Sequence, residues 1–225
     1  MFRRYQYWVE AEYDHPELRA ELERISQDRG HITASLKEDR TASVWRAEVN
    51  AHSLVVKRYN TRGILHAIRR VFRKSRAENC KTMATIFAQS RIHTADNVAL
   101  IQEWLGPFKL RSWFICSYIP GLLLQNHLSE KYFSLSATGN LDALKNNVAE
   151  LFRKLRSQRL SHGDLKATNI LLSDDQLFLI DLDAAHAHKS DFSFRRAHHK
   201  DQSRFMKNWL AQADIYQCFE PLINK

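Results

Sequence analysis

The stretch LSHGDLKATNILLSDDQLFLIDLDAA, Leu160 to Ala185, constrains the fold of this chain more than any other. It sets His162, Asp164, Lys166, Asn169, Asp181 and Asp183 around two short aliphatic runs, ILL and LFLI. Apolar runs of that length, bounded by turn residues, read as strands, and the SDDQ between them reads as a hairpin turn. A hairpin returns its ends to one place. Asp181, closing the second run, is therefore predicted beside Asn169, which opens the first, and near Asp164, five residues upstream. Three oxygen-bearing side chains at one end of a small sheet suit a hard divalent cation such as Mg²⁺, carried in on substrate phosphates. One Asp or Asn in such a place would be read as a turn former; six polar positions in this order read as a site.

The rest of the chain bounds what that site serves. At 225 residues there is enough chain for one large domain or two small lobes. A content of 44% hydrophobic and 26% charged residues is the mixture of a globular protein and not of a disordered one. The net charge of +9 predicts an anionic partner: nucleic acid, an acidic membrane surface or a phosphorylated substrate. Three cysteines, Cys80, Cys116 and Cys218, are odd in number and without paired spacing, which suits a reducing compartment. The N-terminus, MFRRYQYWVEAEYDH, lacks the apolar core of a signal peptide, and no apolar run approaches the roughly 20 residues that span a bilayer. The expectation is a cytoplasmic protein, or one peripheral on a membrane's inner face.

Strand patterns dominate the first half. TASVWRAEV and SLVVKRYN, joined by NAH, read as a hairpin; NVALIQEWL and RSWFICSYI read as two more strands around Gly106-Pro107. Before them, YDHPELRAELERISQDRG predicts a helix with Asp14 as its cap, Pro16 in its first turn and Gly30 at its exit. Two helices are predicted between the strand pairs. GILHAIRRVFR carries an apolar stripe opposite its arginines, and SRAENCKTMATIFAQS starts near Ser75. The second half is helical, with a stripe of Leu141, Leu144, Val148, Leu151, Phe152 and Leu155. This pattern is α+β, with a boundary near Tyr118 to Gly121.

HGDLKATN matches the kinase catalytic-loop pattern H-x-D-L-K-x-x-N, and LIDLD sits where kinases place the metal-binding Asp of their D-F-G element. On these residues the chain resembles the protein-kinase-like superfamily, from about Leu36 to Leu210. The resemblance implies a two-lobed fold in one domain spanning 1–225: a small β-rich N-lobe over about 1–116, a hinge over about 117–121 and a helical C-lobe over about 122–225. It implies ATP and Mg²⁺ as cofactors. Asp164 would orient the acceptor hydroxyl and take its proton, and Lys166 would neutralise the transferred phosphoryl group. Asn169 and Asp181 would hold Mg²⁺. Lys57, in VVKRY, would hold the α/β-phosphates, steadied by Glu78 on a following helix. Backbone groups of Ser117, Tyr118 and Ile119, in FICSYIPG, would meet the adenine.

The departures narrow the class. Gly163 stands where regulated protein kinases carry an arginine, Asp183 replaces the D-F-G glycine, no A-P-E element follows, and the chain is too short for a long activation segment. The phosphate loop is glycine-free: LKEDRTASVWRAEV offers Lys37, Arg40, Thr41 and Ser43 instead. VVKRYN followed by a basic helix and SRA, then YIPG, HGDLKATNILL and LIDLD, is similar to the bacterial lipopolysaccharide kinases, which act on heptose or 3-deoxy-manno-octulosonic acid. That likeness implies a core glycolipid as acceptor, an anionic membrane surface as partner and no nucleic acid. It places the protein on the cytoplasmic face of a Gram-negative inner membrane. The alternatives are a small protein Ser/Thr or Tyr kinase, a small-molecule kinase of the aminoglycoside or choline type, and a pseudokinase or other non-catalytic basic binding module. The basic segment Arg62 to Arg76 is predicted to present arginines to anionic headgroups or simply to water. Asp201 is expected either to brace the catalytic loop or to sit solvated at a helix start.

Overall fold

The computed structural model describes residues 2–38, 41–60, 74–138 and 140–223. The described chain forms two compact units, Met1–Ala84 with Ala95–Tyr118, and Thr85–Thr94 with Ile119–Lys225. The helix GILHAIRRVFR and Arg40 of the phosphate loop lie outside the described residues.

The first unit is a six-stranded antiparallel sheet built from β1 (Arg3–Val9), β2 (Ala34–Glu38), β3 (Ala42–Val49), β4 (His52–Tyr59), β5 (Asn97–Leu105) and β6 (Phe108–Ser117). Its order is β1-β5-β6-β4-β3-β2. The β3–β4 hairpin turns on Asn50 and Ala51, both with positive φ, the backbone twist that two-residue hairpins demand. β1 was not visible in the sequence. Its paired arginines and tyrosines show no clean alternation, and pairing with the apolar β5 at the sheet edge makes it a strand.

Helix α1 (Pro16–Ser26) buries Leu18, Leu22 and Ile25 against Trp45, Leu54, Val56, Trp113 and Ile115 on one face of the sheet. Each such burial contributes about 1.5–3 kcal/mol. The helix is capped by His15, whose Nδ1 accepts from the Leu18 N–H, and not by Asp14, which forms a two-point ion pair with Arg19 at 2.6 Å. It also ends at Ser26, before Gly30; Glu21 closes the exit by accepting the His31 N–H at 2.5 Å. Helix α2 (Arg76–Gln89) meets the other face, where Tyr59 contacts Cys80 Sγ at 3.2 Å.

The second unit holds helices α3 (Leu124–Thr138), α4 (Asn140–Ser157), α5 (Asp191–Lys207) and α6 (Ala213–Ile223) around two small sheets. One sheet orders β10 (Gln176–Leu179), β9 (Ile170–Ser173) and β7 (Leu122–Leu123); the other pairs β8 (Leu160–Ser161) with β11 (His186–Ala187). All six stripe residues of α4 are buried. Residues 85–94 join this unit although they precede two strands of the first. The reason is bonding: Leu179 N–H donates to the His93 carbonyl at 2.9 Å, and Lys154 Nζ to the Arg91 carbonyl at 2.7 Å.

Candidate active site

The β9–β10 hairpin positions the site. Asp174 and Asp175, with φ of 46° and 58°, form its two-residue turn; Asp tolerates this left-handed backbone better than most residues. At the open end, the Ile180 N–H donates to the Asn169 carbonyl at 3.0 Å, which sets Asp181 next to Asn169 along the backbone. Asp181 has a left-handed φ of 64°, a conformation that Asp tolerates better than most residues.

The loop before the hairpin gathers around Asp164. Lys166 Nζ donates to Asp164 Oδ2 at 2.9 Å, and Asn169 Nδ2 donates to the Asp164 carbonyl at 2.8 Å and lies 3.4 Å from Oδ2. The Asp164 side chain remains 35% exposed, enough to meet a substrate. Because Nδ2 of Asn169 is turned to Asp164, its Oδ1 is the atom left for a ligand. Asn169 Oδ1 and the Asp181 carboxylate are hard oxygen donors on neighbouring strand ends, and they fit Mg²⁺.

Two residues of α5 hold this loop. Asp201, 1% exposed, accepts the His162 N–H at 2.7 Å, the Gly163 N–H at 3.1 Å and the Leu165 N–H at 3.4 Å. Asp201 is thus a mid-helix brace and not a solvated helix start. Arg204, one turn later, donates to the Gly163 carbonyl, and its Nε lies 3.6 Å from Asp164 Oδ1. No motif pointed to Arg204. Gly163 has a φ of 80°, and a Cβ there would collide with the Ala184 carbonyl, so the position demands glycine for a local steric reason.

His162 is fully buried. Its Nε2–H donates to the Ile180 carbonyl at 2.9 Å, and its Nδ1 faces the Asp164 N–H at 3.4 Å, the pattern of a neutral imidazole. Burial lowers its pKa, and so favours that neutral form.

The remaining predicted residues lie in the first unit or at its end. Lys57 sits on β4, opposite Val44 and Phe114. Near it the Cys116 thiol is pushed by burial to a pKa of about 11. Glu78 completes a reciprocal cap at the start of α2: its N–H donates to Ser75 Oγ at 3.2 Å, and its Oε2 accepts the Ser75 N–H at 2.5 Å. Lys109 Nζ donates to both Glu78 carboxylate oxygens, at 2.9 and 2.7 Å. The S-x-x-E signature was readable in the sequence as a capping box. In the segment 117–121, the Ser117 N–H donates to the Asp96 carbonyl at 3.0 Å and the Tyr118 N–H to the Ser53 carbonyl at 2.8 Å. Of the basic segment, Arg62 to Arg73 lies outside the described residues. Lys74 donates to Thr82 Oγ1 at 3.2 Å, and Arg76 stacks 4.4 Å from the Tyr59 ring centre.

The fold is protein-kinase-like. The chain superposes on WaaP, solved in complex with acyl carrier protein, with a TM-score of 0.66 at 15% identity, covering 98% of this chain and 89% of that one. No protein-family model matches the sequence. A probable bifunctional tRNA threonylcarbamoyladenosine biosynthesis protein from Methanosarcina barkeri is 31% identical over 114 residues. That match covers 51% of this chain and 18% of the relative's length, so the matched segment is under a fifth of that protein. No helix among the described residues is long and apolar enough to cross a membrane.

Proposed function

We propose that the protein is an ATP-dependent phosphotransferase acting on a sugar hydroxyl of the lipopolysaccharide inner core, at the cytoplasmic surface of the inner membrane. The observation that carries this reading is Asp164: a half-open carboxylate fixed by Lys166, Asn169 and Arg204 on a loop braced from below by buried Asp201. The motif likeness to the lipopolysaccharide kinases and the fold likeness to WaaP support the same acceptor class.

Asp164 accepts the proton of the acceptor hydroxyl and aligns that oxygen for attack. Lys166, 2.9 Å from Asp164 Oδ2, places a positive charge where charge builds on the transferred group. Asn169 and Asp181 would hold Mg²⁺, which would offset phosphate charge. Lys57 would bind the α/β-phosphates, and backbone groups of Ser117 to Ile119 would meet the base.

Purified protein given labelled ATP and core lipopolysaccharide tests the reading, with a generic protein acceptor and no acceptor in parallel. Transfer confined to the lipopolysaccharide is expected. Labelling of the protein acceptor alone would make it a protein kinase, and no ATP turnover in any arm would make it a binding module.

A further inference from the structure

The outward face of α5 is a strip of positive charge with nothing to balance it. Arg195, Arg196, Lys200 and Lys207 all lie on the side opposite the buried Phe194, Asp201 and Phe205, at the spacing that lines one helix face. All four are exposed, and none has an ion-pair or hydrogen-bond partner among the described residues. Elsewhere in the second unit Lys145 pairs with Asp142, Arg153 with Glu150, and Arg159 with Asp191. The last pair also occupies the acid nearest the start of the strip.

Large apolar side chains stand at both ends. Phe192, in the first turn, is 81% exposed, and Leu210, just past the helix, is 70% exposed. A 17-residue helix is about 25 Å long, so the two apolar groups bracket the cationic strip over that distance. We infer that this face docks on an anionic lipid bilayer, the cations over the headgroups and Phe192 and Leu210 in the upper acyl region. RNA also matches the charge, and Phe192 has a face for stacking, but Leu210 offers a base nothing. A flat, anionic, apolar-cored surface engages the strip and both ends together.

Docking through α5 deepens the proposed membrane-surface location and does not depend on which acceptor is used. The inner residues of the helix, Asp201 and Arg204, hold the loop of Asp164, so the helix that meets the bilayer is also the one that sets Asp164.

Vesicle sedimentation with the full chain tests it, using phosphatidylcholine vesicles with and without phosphatidylglycerol, without ATP or core glycolipid. The wild type should bind only the anionic vesicles. Replacing Arg195, Arg196, Lys200 and Lys207 together by Gln should weaken binding by about tenfold or more, given the contribution of each surface cation. Phe192→Ser with Leu210→Ser should also weaken it while leaving the salt dependence in place. All six positions are exposed, and circular dichroism should show an intact fold. Binding at the wild-type level by either variant, or none by the wild type, overturns the proposal. So does loss of structured-RNA binding by the four-Gln variant with vesicle binding unchanged. Phosphotransfer to a soluble acceptor is scored separately and stays unchanged in both variants, which separates failure here from failure of the proposed activity.

Discussion

Asp201 accepts the backbone N–H of His162 at 2.7 Å across 39 positions of chain, and the same oxygen accepts the Gly163 N–H at 3.1 Å. With the Leu165 N–H on its other oxygen, one buried carboxylate satisfies three loop amides that have no strand partner of their own. Asp201→Ala strands those donors away from water, at a cost of about 1–3 kcal/mol for each group left unsatisfied. Urea unfolding should show a loss of about 3 kcal/mol or more. Asp201→Asn keeps one acceptor oxygen and should lose less; equal stability of Asp201→Ala and wild type would mean the loop is held otherwise.

Asp164 and Arg204 separate chemistry from positioning. Asp164→Ala should abolish transfer with fold and ATP affinity retained, since a positioned base typically contributes about 10²–10⁴-fold. Arg204→Gln should lower kcat by about ten- to a hundredfold with the KM for ATP unchanged, because it shifts Asp164 without touching nucleotide. Partial rescue by Arg204→Lys is expected. A change in KM with kcat preserved would give Arg204 a binding role instead.

Metal dependence should divide unequally between Asn169 and Asp181. Asp181→Asn removes the only charged oxygen donor of the two, so Mg²⁺-dependent nucleotide binding should disappear, while Asn169→Ala weakens it less. Calorimetry with ATP, with and without Mg²⁺, reads this. Wild-type affinity that ignores Mg²⁺ would remove both residues from a metal site.

Acid should destabilise the second unit through its histidines. Burial lowers the pKa of His162, His188 and His198, with His186 also lowering His188, and nearby Asp201 opposing the shift in all three. In the unfolded chain a histidine titrates near about 6.5. Below that pH the unfolded state binds more protons than the folded one, so stability that is complete above about pH 6.5 is lost as the pH falls. The Tm should therefore decline from pH 7 to pH 5. His198 stacks 5.1 Å from the Phe194 ring centre, and its Nδ1 has no described partner. His198→Leu should make that decline shallower, and an unaltered slope would exclude His198 as a contributor.

The sequence shows local order well and long-range bonds poorly. The β9–β10 hairpin, the α4 stripe and the grouping of Asp164 with Asn169 follow from alternation, periodicity and turn chemistry within a short window. Asp201 and Arg204 act on residues 36 to 41 positions away, and nothing in the spacing of HHKDQSRF marks which side faces inward. Glu78 carries two signals. Its distance from Lys57 suggests one role, the nearer S-x-x-E pattern describes the cap it makes, and its ion pair with Lys109 depends on the β6 register. β1 needed its partner strand to become visible at all.

In its proposed base-binding role, the segment after β6 would be limited by the bonding of Ser117 and Tyr118. Their N–H groups are already spent on the Asp96 and Ser53 carbonyls, and Pro120, next but one, has none to give. Within Ser117 to Pro120 that leaves the amide of Ile119 as the donor without a described partner. Heterocycles that need two adjacent amide donors would then be poor scaffolds for that proposed site. Scaffolds that accept once and otherwise donate to carbonyl oxygens would match it better.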